Sequence, residues 1–313
     1  MIKLKTFGSF TVGNGLTSVQ EGAWRSEKLE KLFVYLAMNR NRGVCIEDIS
    51  EAIWQVEEET DNPVGALKNL AYRLRKALRD ASFGEECIVS VRGGLYKWND
   101  DVEVTIDVEE FDRYINEAEM AFCRSKETAI ESYEKAIALY HGDFLPLRTD
   151  THWFMTLNAF YHSRYVNTVK ALAKLYIDTG CYEKLEQLCT RAIVYERSDE
   201  QIYSYLIVAR MRTKKVQMAF DTYETAKAIM DKDLGVRKTV MLNKVYEELL
   251  SVTKGASSYN IDEVKDDISE ESMNGVFMCG YPVFKEIYQL EVRKSARSTI
   301  CLLYTSPSPR DCS

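Results

Sequence analysis

Between Asn62 and Arg79 the chain carries five basic side chains (Lys68, Arg73, Arg75, Lys76 and Arg79) and no acidic one. Asn62 is a good N-cap, and Pro63 suits the first position of a helix. Wound at about 100° per residue, the segment divides cleanly. Leu67, Leu70, Ala71, Leu74 and Leu78 fall on one side, and Gly65, Lys68, Asn69, Tyr72, Lys76 and Arg79 on the other, with Arg73 and Arg75 on the flanks. Such a helix suits the major groove of a nucleic-acid duplex. Lys68 can donate to guanine acceptors, Asn69 can pair bidentately with adenine, and Tyr72 can meet a thymine methyl or a phosphate. Arg73, Arg75, Lys76 and Arg79 are expected to hold the phosphate backbone, which positions without reading sequence. Arg92, just before Gly93-Gly94, is placed to enter an adjacent minor groove, where negative potential attracts arginine.

A basic face opposite an apolar stripe is most often only a solvated face. The flanking elements argue otherwise. A hairpin is expected over Ile88–Arg92 and Leu95–Trp98, turned by Gly93-Gly94. Two helices precede the basic one. The first, near Ser26–Asn39, spaces Leu29, Leu32, Phe33, Leu36 and Ala37 for one face, with Ser26 as N-cap. The second, near Ile46–Trp54, buries Ile46, Ile49, Ile53 and Trp54. Before them, β-prone runs broken by Gly8, Gly13 and Gly15 suggest a small antiparallel sheet, with Ile2 and Leu4 on one face. The order is sheet, three helices, hairpin. That is a winged helix-turn-helix over residues 1–100.

From Asp107 to Ser251 the pattern changes to amphipathic helices with short breaks. One template recurs as Ala129/Tyr133/Ala136, Leu185/Cys189/Ala192 and Ala219/Tyr223/Ala226. The last two copies stand 34 residues apart, the period of tetratricopeptide (TPR) helix pairs. A TPR-like α-helical domain is therefore expected over 104–253, so the fold class is mainly α with a small β component. Residues 254–272 read as an acidic linker. Residues 273–300 resume apolar content and look like the start of an incomplete third domain. Residues 301–313, CLLYTSPSPRDCS, resemble translated adapter sequence and are set aside.

Composition excludes more than it proves. The net charge of −7 comes from runs such as Glu57–Asp61 and Asp262–Glu271, so the acid-free stretch stands out locally. No apolar run is long enough for a membrane span, and MIKLKTFGSFTV lacks the apolar core of a signal peptide; cytoplasmic residence is expected. Eight cysteines show no CxxC spacing, and His141, His152 and His162 show no ligand spacing, so neither a metal nor any cofactor is expected. Asp143 and Asp150 lack a companion histidine in sequence and read as turn or cap residues rather than a catalytic pair. Trp153, Phe154, Phe160 and Tyr161 read as packing between helices. No phosphate-binding loop, dinucleotide fingerprint or nucleophile motif occurs, so no enzyme is expected.

Specific motifs give a family resemblance. Trp24-Arg25-Ser26, Pro63-xx-Ala66-Leu67, Tyr72-Arg73-Leu74-Arg75-Lys76-xx-Leu78 and Gly93-Gly94-Leu95-Tyr96 make residues 1–100 similar to the winged helix of SARP-type bacterial transcriptional activators. Leu95 stands where the family more often has tyrosine directly after the glycines. Asp107-xxx-Phe111, Ala136-x-Ala138-Leu139-Tyr140-x-Gly142-Asp143-Phe144-Leu145 and Leu234-Gly235-Val236 make residues 107–251 resemble the bacterial transcriptional activator domain of the same family. Arg237-Lys238 replace the family's usual Pro-Ser. The resemblance implies a cytoplasmic activator that binds duplex DNA at direct repeats, sits as side-by-side protomers in a homodimer and recruits RNA polymerase. Glu57-Glu58-Glu59 stand where related response regulators have their polymerase-contacting loop, although a solvated loop is the simpler reading. The rival reading is a helical-repeat scaffold whose winged helix contacts protein.

Overall fold

Alternation of apolar and lysine side chains makes Ile2–Lys5 (β1) a strand with Ile2 and Leu4 inward and Lys3 and Lys5 outward. It pairs antiparallel with Thr11–Gly13 (β2), which pairs with Ser18–Gln20 (β3). The computed structural model describes residues 1–54, 62–83, 87–91, 94–234 and 239–256, with 287 and 290. Three helices follow the sheet: Glu27–Met38 (α1), Ile46–Ile53 (α2) and Pro63–Asp80 (α3). The hairpin is Ile88–Val91 (β4) with Leu95–Trp98 (β5), in antiparallel register from Ile88↔Trp98 to Val91↔Leu95. Val44 bridges Tyr96 through two backbone hydrogen bonds of 2.8 and 2.9 Å, so the segment before α2 borders the hairpin. Asn62 caps α3 as expected, its Oδ1 accepting from Gly65 N–H at 2.9 Å. Ser26 sits at the N-cap position of α1, but its side chain makes no capping bond.

A strand that the sequence pattern conceals completes the sheet. Val104–Ile106 (β6) runs parallel to β1, giving the order β3-β2-β1-β6. Three residues are too few to show a period of two. The helical region begins on the next residue, with Asp107–Ala121 (α4) and Lys126–Leu139 (α5). A 3-10 turn at Pro146–Arg148 leads into the long His152–Thr179 (α6). Tyr182–Tyr195 (α7), Glu200–Arg212 (α8), Val216–Leu234 (α9) and Val240–Ala256 (α10) follow. The helix α10 runs three residues into the stretch read as linker.

The recurring template lands on α5, α7 and α9, and all nine of its side chains are buried. Alanine and cysteine at these positions let the paired helices approach, and Tyr133 and Tyr223 fill the space beside them. The aromatic group on α6 divides. Phe154 and Tyr161 are buried, Trp153 sets its ring edge-on to Tyr35 of α1 at 4.8 Å, and Phe160 is exposed. Residues 1–256 form one compact unit. One apolar core passes without a break from the winged helix into the repeats as far as α8, and a second cluster joins α8, α9 and α10.

Candidate nucleic-acid interface

The apolar stripe of α3 is buried as the spacing requires, with Leu67, Leu74 and Leu78 wholly inaccessible. That packing against α1 and α2 turns the other face outward. Lys68, Asn69, Tyr72, Arg73, Lys76 and Arg79 are all exposed, and the Tyr72 ring is 66% accessible. Lys68, Arg73 and Lys76 have no acidic partner among the described residues. Gly65 is held close to its own cap: a Cβ there would lie 2.8 Å from Asn62 Nδ2. The start of the helix thus presents a bare backbone turn beside Lys68 and Asn69.

Arg75 behaves differently from its neighbours. It is half-buried, and its Nε donates to the Ile88 carbonyl at 3.1 Å. It ties the helix to the hairpin, a use that a helical wheel cannot show because the acceptor lies on another element. Arg92 and Gly93 lie outside the described residues, as do Glu57-Glu58-Glu59 and Gly235–Lys238. One cation escaped the sequence reading. Arg42 is exposed two residues before the bridge from Val44 to Tyr96, its guanidinium donating to Asn39 Oδ1 at 3.1 and 3.2 Å. Its signal was weak because it stands outside any helical stripe.

Buried polar contacts join the winged helix to the repeats. Asp107, the first residue of α4, is buried and accepts four hydrogen bonds: Thr6 N–H at 2.7 Å, Thr6 Oγ1 at 2.6 Å, Phe7 N–H at 2.9 Å and Val108 N–H at 2.9 Å. Burial pushes its pKa up, and the hydrogen bonds pull the other way. Beside it the β1–β2 turn meets the loop after α5. Gly8 N–H donates to Asp143 O at 2.9 Å and Leu145 N–H to Thr6 O at 2.9 Å. Gly142 (φ +141°) comes so close that a Cβ on it would lie 3.0 Å from Gly8 Cα.

Asp143 is more than a turn residue. Its carboxylate accepts from Tyr140 OH and contacts His162 Nδ1 at 2.8 Å, while His162 Nε2 lies 3.1 Å from Glu196 Oε2. Held chiefly by Asp143, then by Glu196, and against the effect of burial, the imidazole pKa rises to about 9. The Asp143 carboxyl is lowered in turn, first by His162. Asp150 likewise pairs with Lys31 of α1, a lysine whose side chain is 2% exposed. Arg148 reaches Glu30 at 2.6 Å, Glu21 at 3.3 Å and Glu27 at 3.6 Å. Arg40 binds Glu109 through Nη1 and Nη2, and Thr151 Oγ1 donates to Ala52 O at 2.8 Å. No sequence signal revealed the Arg40, Lys31 and Arg148 pairs, because their partners stand roughly 70 to 120 positions apart.

The architecture is a winged helix-turn-helix joined without a linker to TPR-like helical hairpins, a two-part protein of the DNA-reader type. Residues 106–250 match the family model of the bacterial transcriptional activator domain. The transcriptional regulator RedD of Streptomyces coelicolor is 23% identical over 238 residues, covering 75% of this chain and 67% of that protein. The structure of Mycobacterium tuberculosis EmbR, solved in complex with a low-affinity phosphopeptide, is similar in fold, with a TM-score of 0.62 at 19% identity. The match covers 87% of this chain and 72% of that one. By these matches residues 106–250 carry the bacterial transcriptional activator domain, and the chain resembles the SARP-type bacterial transcriptional activators. The family of that domain is one of transcriptional regulators rather than enzymes. No described helix is long and apolar enough to cross a membrane.

Proposed function

We propose that this transcriptional activator is a cytoplasmic protein that binds duplex DNA by laying α3 in the major groove. Lys68, Asn69 and Tyr72 read base edges; Arg73, Lys76 and Arg79 hold phosphates; Arg92 enters the minor groove. Arg75 joins helix to hairpin and reaches phosphate only from that position. The observation that carries the reading is the exposed cationic face of α3, free of acid up to Asp80 at its last residue and set beside a hairpin in an otherwise acidic chain. The TPR-like domain then serves contacts between protomers on repeated sites and with RNA polymerase, as in the family the chain resembles. Selection from a pool of random duplexes tests this. The expected result is enrichment of one short motif whose bases change when Asn69 is replaced by alanine. A pool with no enrichment favours the rival in which the winged helix contacts protein.

A further inference from the structure

The seam between the winged helix and the repeats carries more buried charge than its stability needs. Arg148, 6% exposed at its side chain, faces Glu21 in the loop before α1 and Glu27 and Glu30 in its first turns. Glu30, 2% exposed, also accepts from Gly22 N–H at 2.7 Å. Lys31, the next residue of α1, pairs with Asp150 two residues beyond Arg148. A well-packed apolar seam would hold the two parts together as firmly, since buried ion pairs contribute little net stability over hydrophobic replacements of similar size. What directional charge pairs add is a single geometry. An apolar contact tolerates sliding and rotation; a guanidinium fixed against carboxylates on two elements does not.

The same seam lies one helix from the recognition surface. The helix α1, which bears Glu27, Glu30 and Lys31, packs its Leu29, Leu32, Phe33 and Leu36 into the core that also receives Leu67, Leu70 and Leu74 of α3. The passage from β6 into α4 is held as well, because β6 is paired to β1 and Asp107 holds Thr6 and Phe7. The direction in which α3 points is therefore tied to the direction of the repeats.

We propose that Arg148 and Lys31 are positioning residues. They lock α3 at one angle to the TPR-like domain, so that two copies of the chain, touching through their repeats, read the helical phase between neighbouring DNA sites. This rests on the DNA-binding and protomer-contact readings above. A rigid protomer fits a second site only when it lies on the matching face of the duplex. A loosened seam lets α3 swivel and accept sites at other phases.

The test uses the full chain and duplexes carrying one copy, or two copies, of the selected motif, with the spacing varied in single base pairs across one turn of about 10.5 base pairs. The native chain is expected to bind paired sites with a cooperative gain of roughly tenfold at one phase that disappears half a turn away. Arg148→Met with Glu30→Gln, which keeps an acceptor for Gly22 N–H, is expected to bind the single site as the native chain does and to lose the phase preference. Lys31→Met with Asp150→Asn, a smaller change, moves in the same direction, and thermal unfolding followed by circular dichroism identifies whichever variant remains folded. Native binding with no cooperative gain, native cooperativity that is indifferent to phase, or folded variants that keep the native preference overturns the positioning role. Loss of single-site binding by the native chain itself overturns the DNA reading instead.

Discussion

Charge is used in opposite ways on the two sides of α1. On α3 every cation but the half-buried Arg75 is exposed, and Lys68, Arg73 and Lys76 have no described acidic partner; at the seam Arg148, Lys31, Glu30 and Asp107 are buried and held by ion pairs or hydrogen bonds. Unpaired surface cations cost the fold little and remain available to a polyanion, whose condensed counterions they release. Paired buried charges are unavailable to any ligand, and removing one partner leaves the other stranded. One region is built for affinity and the other for geometry.

The sharpest way to break that contrast is at the seam. Asp107→Ala leaves Thr6 and Phe7 N–H groups without their acceptor inside the core and is expected to cost about 3–5 kcal/mol in chemical denaturation. A cost below about 1 kcal/mol would mean that the seam is not a stabilising junction. On α3 the expectation is reversed. Arg73→Ala with Lys76→Ala should leave stability within about 0.5 kcal/mol, since both are exposed surface positions. The pair should weaken binding to every sequence and lower the salt slope by about 0.9 for each phosphate no longer neutralised. Asn69→Ala should cost about 1–3 kcal/mol at one base position only. If its loss weakens all sequences equally, Asn69 belongs with the residues that hold the DNA backbone.

Two smaller effects sharpen the boundary between the regions. Arg75→Met should destabilise the hairpin's attachment by about 1 kcal/mol, detectable as faster amide exchange in β4 and β5; unchanged exchange would return Arg75 to the phosphate-binding set. For His162, the folded pKa near 9 lies above the ordinary histidine value of 6.5. Its contribution is therefore fully present below about 6.5 and lost as pH rises through about 9. The depressed carboxyl of Asp143 works at the other end, its contribution being lost in acid as that group protonates. The native melting temperature should fall between neutral pH and pH 9 more than that of His162→Gln; parallel curves would remove His162 from the stability of the seam.

The helical face of α3 was legible in the sequence because periodicity is a local property. Leu67, Leu70, Leu74 and Leu78 announce the buried side, and whatever lies opposite is exposed by geometry. The Asn62 cap and the 34-residue template were legible for the same reason. The seam was not. Asp143 and Asp150 look like ordinary turn residues until His162 and Lys31 arrive from other elements, and Arg148 has no periodic context at all. The three-residue β6 fails for want of length. Along the chain, Arg75 belongs to the cationic set; only its bond to the Ile88 carbonyl separates it.

The central claim is that the exposed cations of α3 grip a polyanionic duplex while the seam only aims them. It is tested most directly by measuring the affinity of the full chain for the selected duplex from low to physiological salt, for the native protein and for Arg73→Ala with Lys76→Ala. A steep fall of log affinity with log salt is predicted, with a shallower slope in the variant. Equal slopes in the two proteins, or native affinity indifferent to salt, would contradict it.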